Sequence, residues 1–220
     1  MLADGMLQLT LQGLGESLYM TLLSTLCSYI IGLPLGLILV ITDKNGIRPN
    51  APVYQILGAI VNILRSVPFL ILLVAVVPFT RLITGTSIGS TATVVPLVIA
   101  AAPFVARVVE SSIKEVDRGV IEASLSMGAS PMQVVRKVLV PEAMPSLLTG
   151  LALSLTTILS YSAMAGFVAG GGLGAIAINY GYYRQETDVM LLMVIILVII
   201  VQVFQGLGNW IARHADKRIR

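Results

Sequence analysis

Five long apolar stretches run along the chain, and polar or charged residues gather in the segments between them. The stretches lie at about residues 17–41, 53–79, 88–109, 143–166 and 188–210. A helix needs about 20 apolar residues to cross a bilayer, and each stretch exceeds that length. The pattern predicts an all-α integral membrane protein with five transmembrane helices, which form a single domain over residues 1–220.

The composition supports this class of protein. Hydrophobic residues make up 56% of the chain, charged residues make up 11%, and the mean hydropathy is +0.93. Soluble domains carry roughly 25% charged residues. Cys27 is the only cysteine and His214 the only histidine, so the chain has no cluster of zinc ligands and no internal disulfide. We therefore expect no metal site, no catalytic residues and no cofactor in this chain.

Two of the stretches contain residues that are unusual in the middle of a helix. Gly32, Pro34 and Gly36 interrupt the first, but a membrane bundle tolerates them, and small residues let helices approach closely. Arg65 interrupts the second, and an arginine at mid-membrane costs at least ~2.5 kcal/mol. The second stretch is therefore either one helix kinked near Pro68 or an interfacial helix up to Arg65 followed by a span.

Charged residues gather at the end of the third stretch and beyond it. Arg107, Glu110 and Lys114 have the spacing of helical ion pairs, which contribute about 0.2–0.5 kcal/mol each. We expect them, together with Asp117, to mark a water-facing region where the third helix extends beyond the bilayer.

The coupling segment, at about residues 115–141, combines charged and apolar residues in an ordered way. Gly128 can take the left-handed conformation that ends a helix. Ser130 is suited to cap the next helix, with Gln133 as its capping-box partner, and that helix should end near Pro141. We predict two short helices bent about Gly128, in a unit shaped to dock on another molecule.

The same segment resembles the EAA loop of the membrane subunits of ABC importers. The resemblance rests on Glu122-Ala123-Ser124, on Gly128 and on Val138-Leu139-Val140-Pro141 at the spacing of that loop. In the family, the loop forms coupling helices that sit in a cleft of a cytoplasmic ATPase. The residues to which the resemblance assigns coupling are Glu122, Ala123, Ser124, Gly128, Ala129, Pro131 and Pro141. Ser124 departs from the usual second alanine, and valines replace isoleucine and leucine before the proline.

Two alternatives to a coupling loop remain open. The segment could be an ordinary helical hairpin between membrane spans, or a DNA-binding helix-turn-helix. The apolar stretches on both sides of it favour a membrane setting, so we expect no nucleic-acid partner.

Beyond the loop, nearly the whole chain resembles the membrane subunit of bacterial methionine ABC importers. The segments that carry the resemblance are 65–73, 78–81, 85–89, 161–164, 171–174 and 180–182. The resemblance implies the type I ABC importer permease fold in the bacterial inner membrane, surrounded by lipid. It also implies a complex of two copies of this chain, two ATPase subunits that bind ATP and Mg²⁺, and an external methionine-binding lipoprotein.

The fourth stretch contains the predicted pathway residues. A zwitterionic amino acid must cross without meeting a site that holds it tightly, which short polar groups and a flexible methionine allow. We predict Ser160, Tyr161, Ser162 and Met164 as pathway or gate residues. The resemblance implies that Met164 matches a methionine on the axial constriction of the family. The alternative for the other three is that they only pack the bundle.

A glycine-rich run at residues 170–174 suggests a phosphate-binding loop. Such a loop needs a preceding strand, and Lys-Ser or Lys-Thr after the last glycine. The sequence has neither, so a flexible turn or a close helix contact is the better interpretation.

The distribution of positive residues predicts the orientation, because they collect on the cytoplasmic side. With the coupling segment in the cytoplasm, five spans place the N-terminus outside and the C-terminus inside. Arg81 and Arg184 are then the two outside positive residues. The twelve inside positive residues are Lys44, Arg48, Arg65, Arg107, Lys114, Arg118, Arg136, Lys137, Arg213, Lys217, Arg218 and Arg220.

Three hypotheses about function follow. The leading one is the permease subunit of an ATP-driven importer of D-methionine, L-methionine or both, which works by alternating access. The second is the same kind of permease for another amino acid or a small peptide. The third is a passive channel or a membrane scaffold with no ATPase. In none of them is this chain an enzyme, since ATP hydrolysis is expected in the separate ATPase.

Overall fold

The computed structural model describes residues 2–216, with side chains from residue 5 onward, and all regular structure in this range is helical. This confirms the predicted all-α class. Lys217, Arg218 and Arg220, which belong to the predicted cytoplasmic tail, lie outside the described residues.

The helices of the described range differ widely in length. The long ones are α1 (Leu2–Thr42), α5 (Ser90–Lys114), α9 (Met144–Met164) and α11 (Thr187–Ala215). The short α-helices are α2 (Ala51–Ser66), α3 (Phe69–Ala75), α4 (Val77–Thr84), α6 (Arg118–Ser126), α7 (Pro131–Val134), α8 (Val140–Glu142) and α10 (Gly172–Ile176). Turns of other helical types are the π-helical Val135–Leu139 and Ala177–Tyr182 and the 3₁₀-helical Ala165–Val168.

Within the described residues, four helices are long and apolar enough to cross a membrane, and α2 with α3 gives a fifth if the pair counts as one broken span. The second apolar stretch is therefore not one kinked helix. α2 ends at Ser66, and α3 begins at Phe69 with Pro68 as its N-cap residue. A proline disfavours the helical conformation in the residue before it, which is Val67 here, so the break falls at this point.

Two compact units make up the described chain. The first contains residues up to Cys27, Val67–Ala101 and Ser154–Gln205, and the second contains Ser28–Ser66, Ala102–Leu153 and the residues from Gly206 onward. Buried residues of the first unit include Met20, Leu97, Ile158, Leu159, Leu173 and Met193. Buried residues of the second unit include Leu39, Val61, Val105, Val109, Ile113 and Leu139.

In the second unit, two glycines of α1 face α5 at very short range. A Cβ atom on Gly32 would lie 2.7 Å from the carbonyl oxygen of Ala102, and one on Gly36 would lie 2.6 Å from that of Ala106. Real Cβ atoms do not come this close to backbone oxygens, so only glycine fits at both positions. The expected role of these glycines, to let helices approach closely, is confirmed. Pro34 lies between them, inside the same helix.

Replacing Gly36 with alanine should destabilise the fold. The added Cβ atom meets the backbone of α5, and overpacking of this kind costs about 1–3 kcal/mol. Gly15→Ala is the matched control, because a Cβ atom on Gly15 of the same helix meets open space and alanine is the better helix former. Thermal unfolding of the purified chain in detergent measures the difference. Equal midpoints for the two variants would contradict the close contact.

Candidate coupling segment and translocation cavity

The first helix of the coupling segment, α6, begins with a side-chain cap. Asp117 has an extended backbone, and its Oδ1 accepts a hydrogen bond of 2.7 Å from the backbone N–H of Gly119. This cap holds the direction in which the chain leaves α5 and enters α6. Sequence reasoning placed Asp117 only in a water-facing region and missed the cap, although an aspartate just before an apolar run is a typical start signal.

The bend between the two short helices is formed by backbone hydrogen bonds around Gly128. Gly128 has φ +84°, a left-handed conformation that favours glycine. Its N–H donates to the carbonyl of Leu125 at 2.9 Å, and the N–H of Ala129 donates to the carbonyl of Ser124 at 3.1 Å. Together these two bonds make a Schellman motif, which satisfies the last carbonyls of α6. The predicted bend at Gly128 is confirmed.

The second helix begins with the predicted capping box. The backbone N–H of Gln133 donates to Ser130 Oγ at 3.4 Å, and the N–H of Ser130 donates to Gln133 Oε1 at 2.7 Å. Helical structure then continues through the π-helical turn Val135–Leu139 into α8, which contains Pro141 and ends at Glu142. The wide turn lies just before a proline that has no N–H to donate. The predicted end near Pro141 is confirmed.

The coupling segment has an outer and an inner side. Glu122, Ala123, Pro131 and Pro141 are exposed, and Met127 is 81% exposed. On the inner side, the buried residues include Ser124, Val134, Val135 and Leu139. Ala129 is partly buried against the same hydrophobic cluster as the last three. The segment is therefore anchored through its buried residues, while its exposed residues, among them Met127, are accessible to another molecule.

A cavity of about 410 Å³ lies beside α6. Its polar lining includes Asp43 and Lys114, whose Oδ2 and Nζ atoms form an ion pair at 2.7 Å, together with Arg118 and Glu122. The hydrogen bond from Lys114 holds the pKa of the Asp43 carboxyl below its ordinary value, against the opposing effect of desolvation. Asp43 is therefore ionised at neutral pH, and the ion pair is intact there.

The four predicted pathway residues of the first unit do not share one environment. Ser160 and Met164 are exposed on one face of α9, and both line a cavity of about 350 Å³ with otherwise mainly apolar walls. Tyr161 is partly buried and stacks on Phe69, with ring centroids 4.6 Å apart and planes 4° from parallel. Ser162 is 1% exposed and donates to the carbonyl of Leu159. Only two of the four therefore face open space.

The glycine-rich run after Met164 is held by α1, again within the first unit. Glu16 Oε2 accepts from the N–H of Gly172 at 2.7 Å, and Ser17 Oγ accepts from the N–H of Leu173 at 2.9 Å. Gly171 and Gly172 have φ values of +83° and +75°. A carboxylate at this place repels phosphate, so the phosphate-loop alternative is disfavoured and a close helix contact is what the structure shows. Sequence reasoning missed the role of Glu16.

The chain matches a known family of transport proteins. The family described as "binding-protein-dependent transport system inner membrane component" matches residues 32–220. This chain belongs to that family. The permease is 50% identical over 203 residues to a protein of Vibrio cholerae called probable D-methionine transport system permease protein MetI. The match covers 92% of this chain and 90% of that relative. It is also 50% identical over 165 residues to the D-methionine transport system permease protein MetI of Escherichia coli K12, with 75% and 76% covered.

Solved structures agree with this membership. A chain from the inward-facing MetNI methionine ABC transporter superposes on the permease with a TM-score of 0.96 at 48% identity, covering 97% of this chain and 99% of that one. A chain of an amino acid ABC transporter with histidines shares the fold at a TM-score of 0.77 and 23% identity. The predicted permease fold and the prediction of a transport subunit with a separate ATPase are confirmed.

Cysteine labelling should separate the two kinds of serine on α9 of the permease. In a Cys27→Ser background, a cysteine at position 160 should react readily with a small membrane-permeant maleimide, because Ser160 is exposed on the cavity side. A cysteine at position 162, where the native serine is 1% exposed, should react far more slowly in the folded protein. Both should react alike after denaturation. Equal rates in the folded state would contradict the orientation of α9.

Proposed function

We propose that this permease is the membrane subunit of an ATP-driven importer that carries methionine, as the D-isomer, the L-isomer or both, across the bacterial inner membrane. The observation that carries the proposal is the coupling segment, with its capped and bent helices anchored inside and exposed outside. The substrate is supported by the relatives at 50% identity that are named for D-methionine transport. The partners we propose are a second copy of this chain, two ATPase subunits and an external methionine-binding lipoprotein.

In this proposal the coupling segment converts closure of the ATPases into a switch of the permease between its inward-facing and outward-facing states. Glu122 is exposed and can accept hydrogen bonds from backbone or basic groups of an ATPase cleft. Ala123 keeps α6 narrow, Gly128 supplies the bend, and Pro131 occupies the first turn of α7. ATP and Mg²⁺ bind to the ATPase partner, and the hydrolysis of ATP there supplies the energy. This chain supplies the path for the substrate.

We propose Ser160 and Met164 as the pathway residues that meet the substrate. They line the cavity of about 350 Å³, which lies within the range of roughly 300–1,000 Å³ that is typical of small-molecule sites. A flexible methionine side chain can open or close such a space by changing rotamer. Tyr161 supports these two residues from the buried side of α9, because its ring stacks on Phe69 of α3 and so holds the rotation of the helix. The hydroxyl of Ser162 bonds within α9, to the Leu159 carbonyl, and packs the same buried side.

The proposed topology is five spans in a single domain, with the N-terminus outside and the C-terminus in the cytoplasm. It places the coupling segment on the side of the ATPases. It also leaves only Arg81 and Arg184 outside, in agreement with the tendency of positive residues to stay in the cytoplasm.

The direct test is uptake of radiolabelled methionine by proteoliposomes that contain this chain, its ATPase and the binding protein. Uptake should require ATP inside the vesicles, which is the side on which the ATPases lie. Unlabelled methionine should compete with the radiolabelled substrate. Uptake that needs no ATP would favour a passive channel, and ATP-dependent uptake of another amino acid in preference to methionine would overturn the substrate assignment.

Replacing Gly128 with aspartate should abolish ATP-driven uptake while the protein still reaches the membrane. The change strains the bend and adds a charge to the docking face. Gly85→Asp is the matched control: Gly85 also has a positive φ, +75°, and, like Gly128, open space around it, but it ends α4 far along the chain from the coupling segment. Co-purification with the ATPase and uptake measure the outcome. Normal uptake by Gly128→Asp would show that the segment does not couple.

A further inference from the structure

A chain of ionic and polar contacts crosses the second unit from the end of α1 to α2. Lys114 Nζ lies 2.7 Å from Asp43 Oδ2 and 2.7 Å from Glu110 Oε1. On the other side, Glu110 Oε2 lies 2.5 Å from Arg107 Nη1. Arg107 Nη2 in turn donates to the side chain of Asn62 at 2.8 Å. These five residues, which we call the strut, join the loop after α1, the last turns of α5 and the C-terminal half of α2.

Glu110 is the centre of the strut and lies in the interior of the unit. It is 5% exposed, although its spacing from Arg107 and Lys114 predicted a water-facing set of ion pairs. The hydroxyl of Tyr54, on α2, donates a third hydrogen bond to Glu110 at 3.3 Å. A carboxylate at this burial is held by its partners, since an unpaired buried charge is strongly unfavourable. Glu110 therefore holds Arg107 and Lys114 in place at the centre of the strut.

The far end of the strut grips α2 at two points one helical turn apart. Arg107 Nη2 donates to the backbone carbonyl of Gly58 at 3.1 Å as well as to the amide oxygen of Asn62. A planar guanidinium with several donors can hold two acceptors in fixed directions. Arg107 thus fixes both the position and the rotation of α2 relative to α5.

The near end of the strut meets the coupling segment. Lys114 is the last residue of α5, and Asp117, which caps α6, follows three residues later. The cavity of about 410 Å³ lies between α6 and the loop that holds Asp43, so these parts are not packed tightly on each other. The coupling segment packs on α5 and the end of α1 through the hydrophobic cluster that contains Val134, Val135 and Leu139. The strut joins these two helices to α2.

We propose that the strut makes the end of α1, α2 and the end of α5 move as one body when the coupling segment moves, with Glu110 as its central positioning residue. The inference rests on the proposed function, because it concerns how the motion of an ATPase reaches the permease. If the strut only stabilised the fold, its loss would not change the distance between α2 and α5 when ATP binds to the complex. If it transmits motion, that distance should become dependent on ATP when the strut is weakened.

Variants at the two ends of the strut test this without burying an orphan charge. Asp43→Asn releases one end, and Lys114, with its side chain 40% exposed, keeps Glu110 as a partner. At the other end, Asn62→Ala removes one of the two acceptors that α2 offers to Arg107 and so weakens the hold on α2. Gln55→Ala is its matched control, because Gln55 is also an exposed amide on α2 and its side chain forms no hydrogen bond among the described residues. Asp43→Glu is the conservative variant that should rescue. Glu110 stays in place, since its loss would leave two cations unpaired.

The first measurement is the distance between spin labels at positions 56 on α2 and 111 on α5, in the Cys27→Ser background and in the full complex with its ATPase. Ile56 and Ser111 are exposed, so labels fit there. The distance distribution should be the same with and without ATP in the otherwise unmutated chain, in Gln55→Ala and in Asp43→Glu. In Asp43→Asn and Asn62→Ala it should shift or broaden when ATP is added.

The second measurement is methionine imported per ATP hydrolysed in proteoliposomes. This ratio should fall several-fold in Asp43→Asn and Asn62→Ala, while both variants still associate with the ATPase. In Gln55→Ala and Asp43→Glu the ratio should stay near that of the unmutated chain. The proposal is overturned if the two end variants keep the ratio, or if the label distance changes as much in the unmutated chain. If the unmutated complex hydrolyses ATP but imports no methionine, the substrate assignment fails, while the distances, which need only ATP and the complex, still decide the role of the strut.

Discussion

The close approach of α1 to α5 is the constraint on which the second unit depends. Between membrane helices there is little hydrophobic driving force, so contact area and polar bonds must hold them together, and contact area requires small residues. Gly32 and Gly36 provide it, with carbonyl oxygens of α5 inside the distance that any Cβ atom would need. The seam continues through Val40 to Asp43, which reaches Lys114 because the two helices are already side by side. The glycines allow α1 and α5 to approach each other, and the Asp43–Lys114 ion pair then holds the ends of the two helices together.

What the sequence could predict was local. The bend at Gly128 and the capping box of Ser130 and Gln133 follow from preferences of the backbone that act within a few residues, and the structure has them. For the second stretch the sequence left two alternatives, a helix kinked near Pro68 or a helix that ends at Arg65, since it shows where a proline stands but not whether neighbours support a kinked helix there. The long apolar stretches needed only length and composition.

What the sequence could not predict depended on partners far along the chain. The spacing of Arg107 and Glu110 showed an ion pair, but the acceptors on α2 lie 45 and 49 residues earlier, and so a water-facing surface and a buried strut looked alike. The carboxylate of Glu16 meets Gly172 across 156 residues, with only an acidic residue near an apolar stretch as a signal. Among the pathway residues, the rotation of α9 decides which serine faces the cavity, and neighbouring helices set that rotation.

The Schellman turn of the coupling segment has a consequence for the speed and cost of assembly. Its hydrogen bonds lie within the segment, from Gly128 and Ala129 back to α6, so the bent shape exists before any ATPase arrives. A surface that is ordered in advance loses little conformational entropy on association, and more of the contact energy remains as affinity. In the proposed complex, docking of this segment therefore needs no folding step that would slow each encounter.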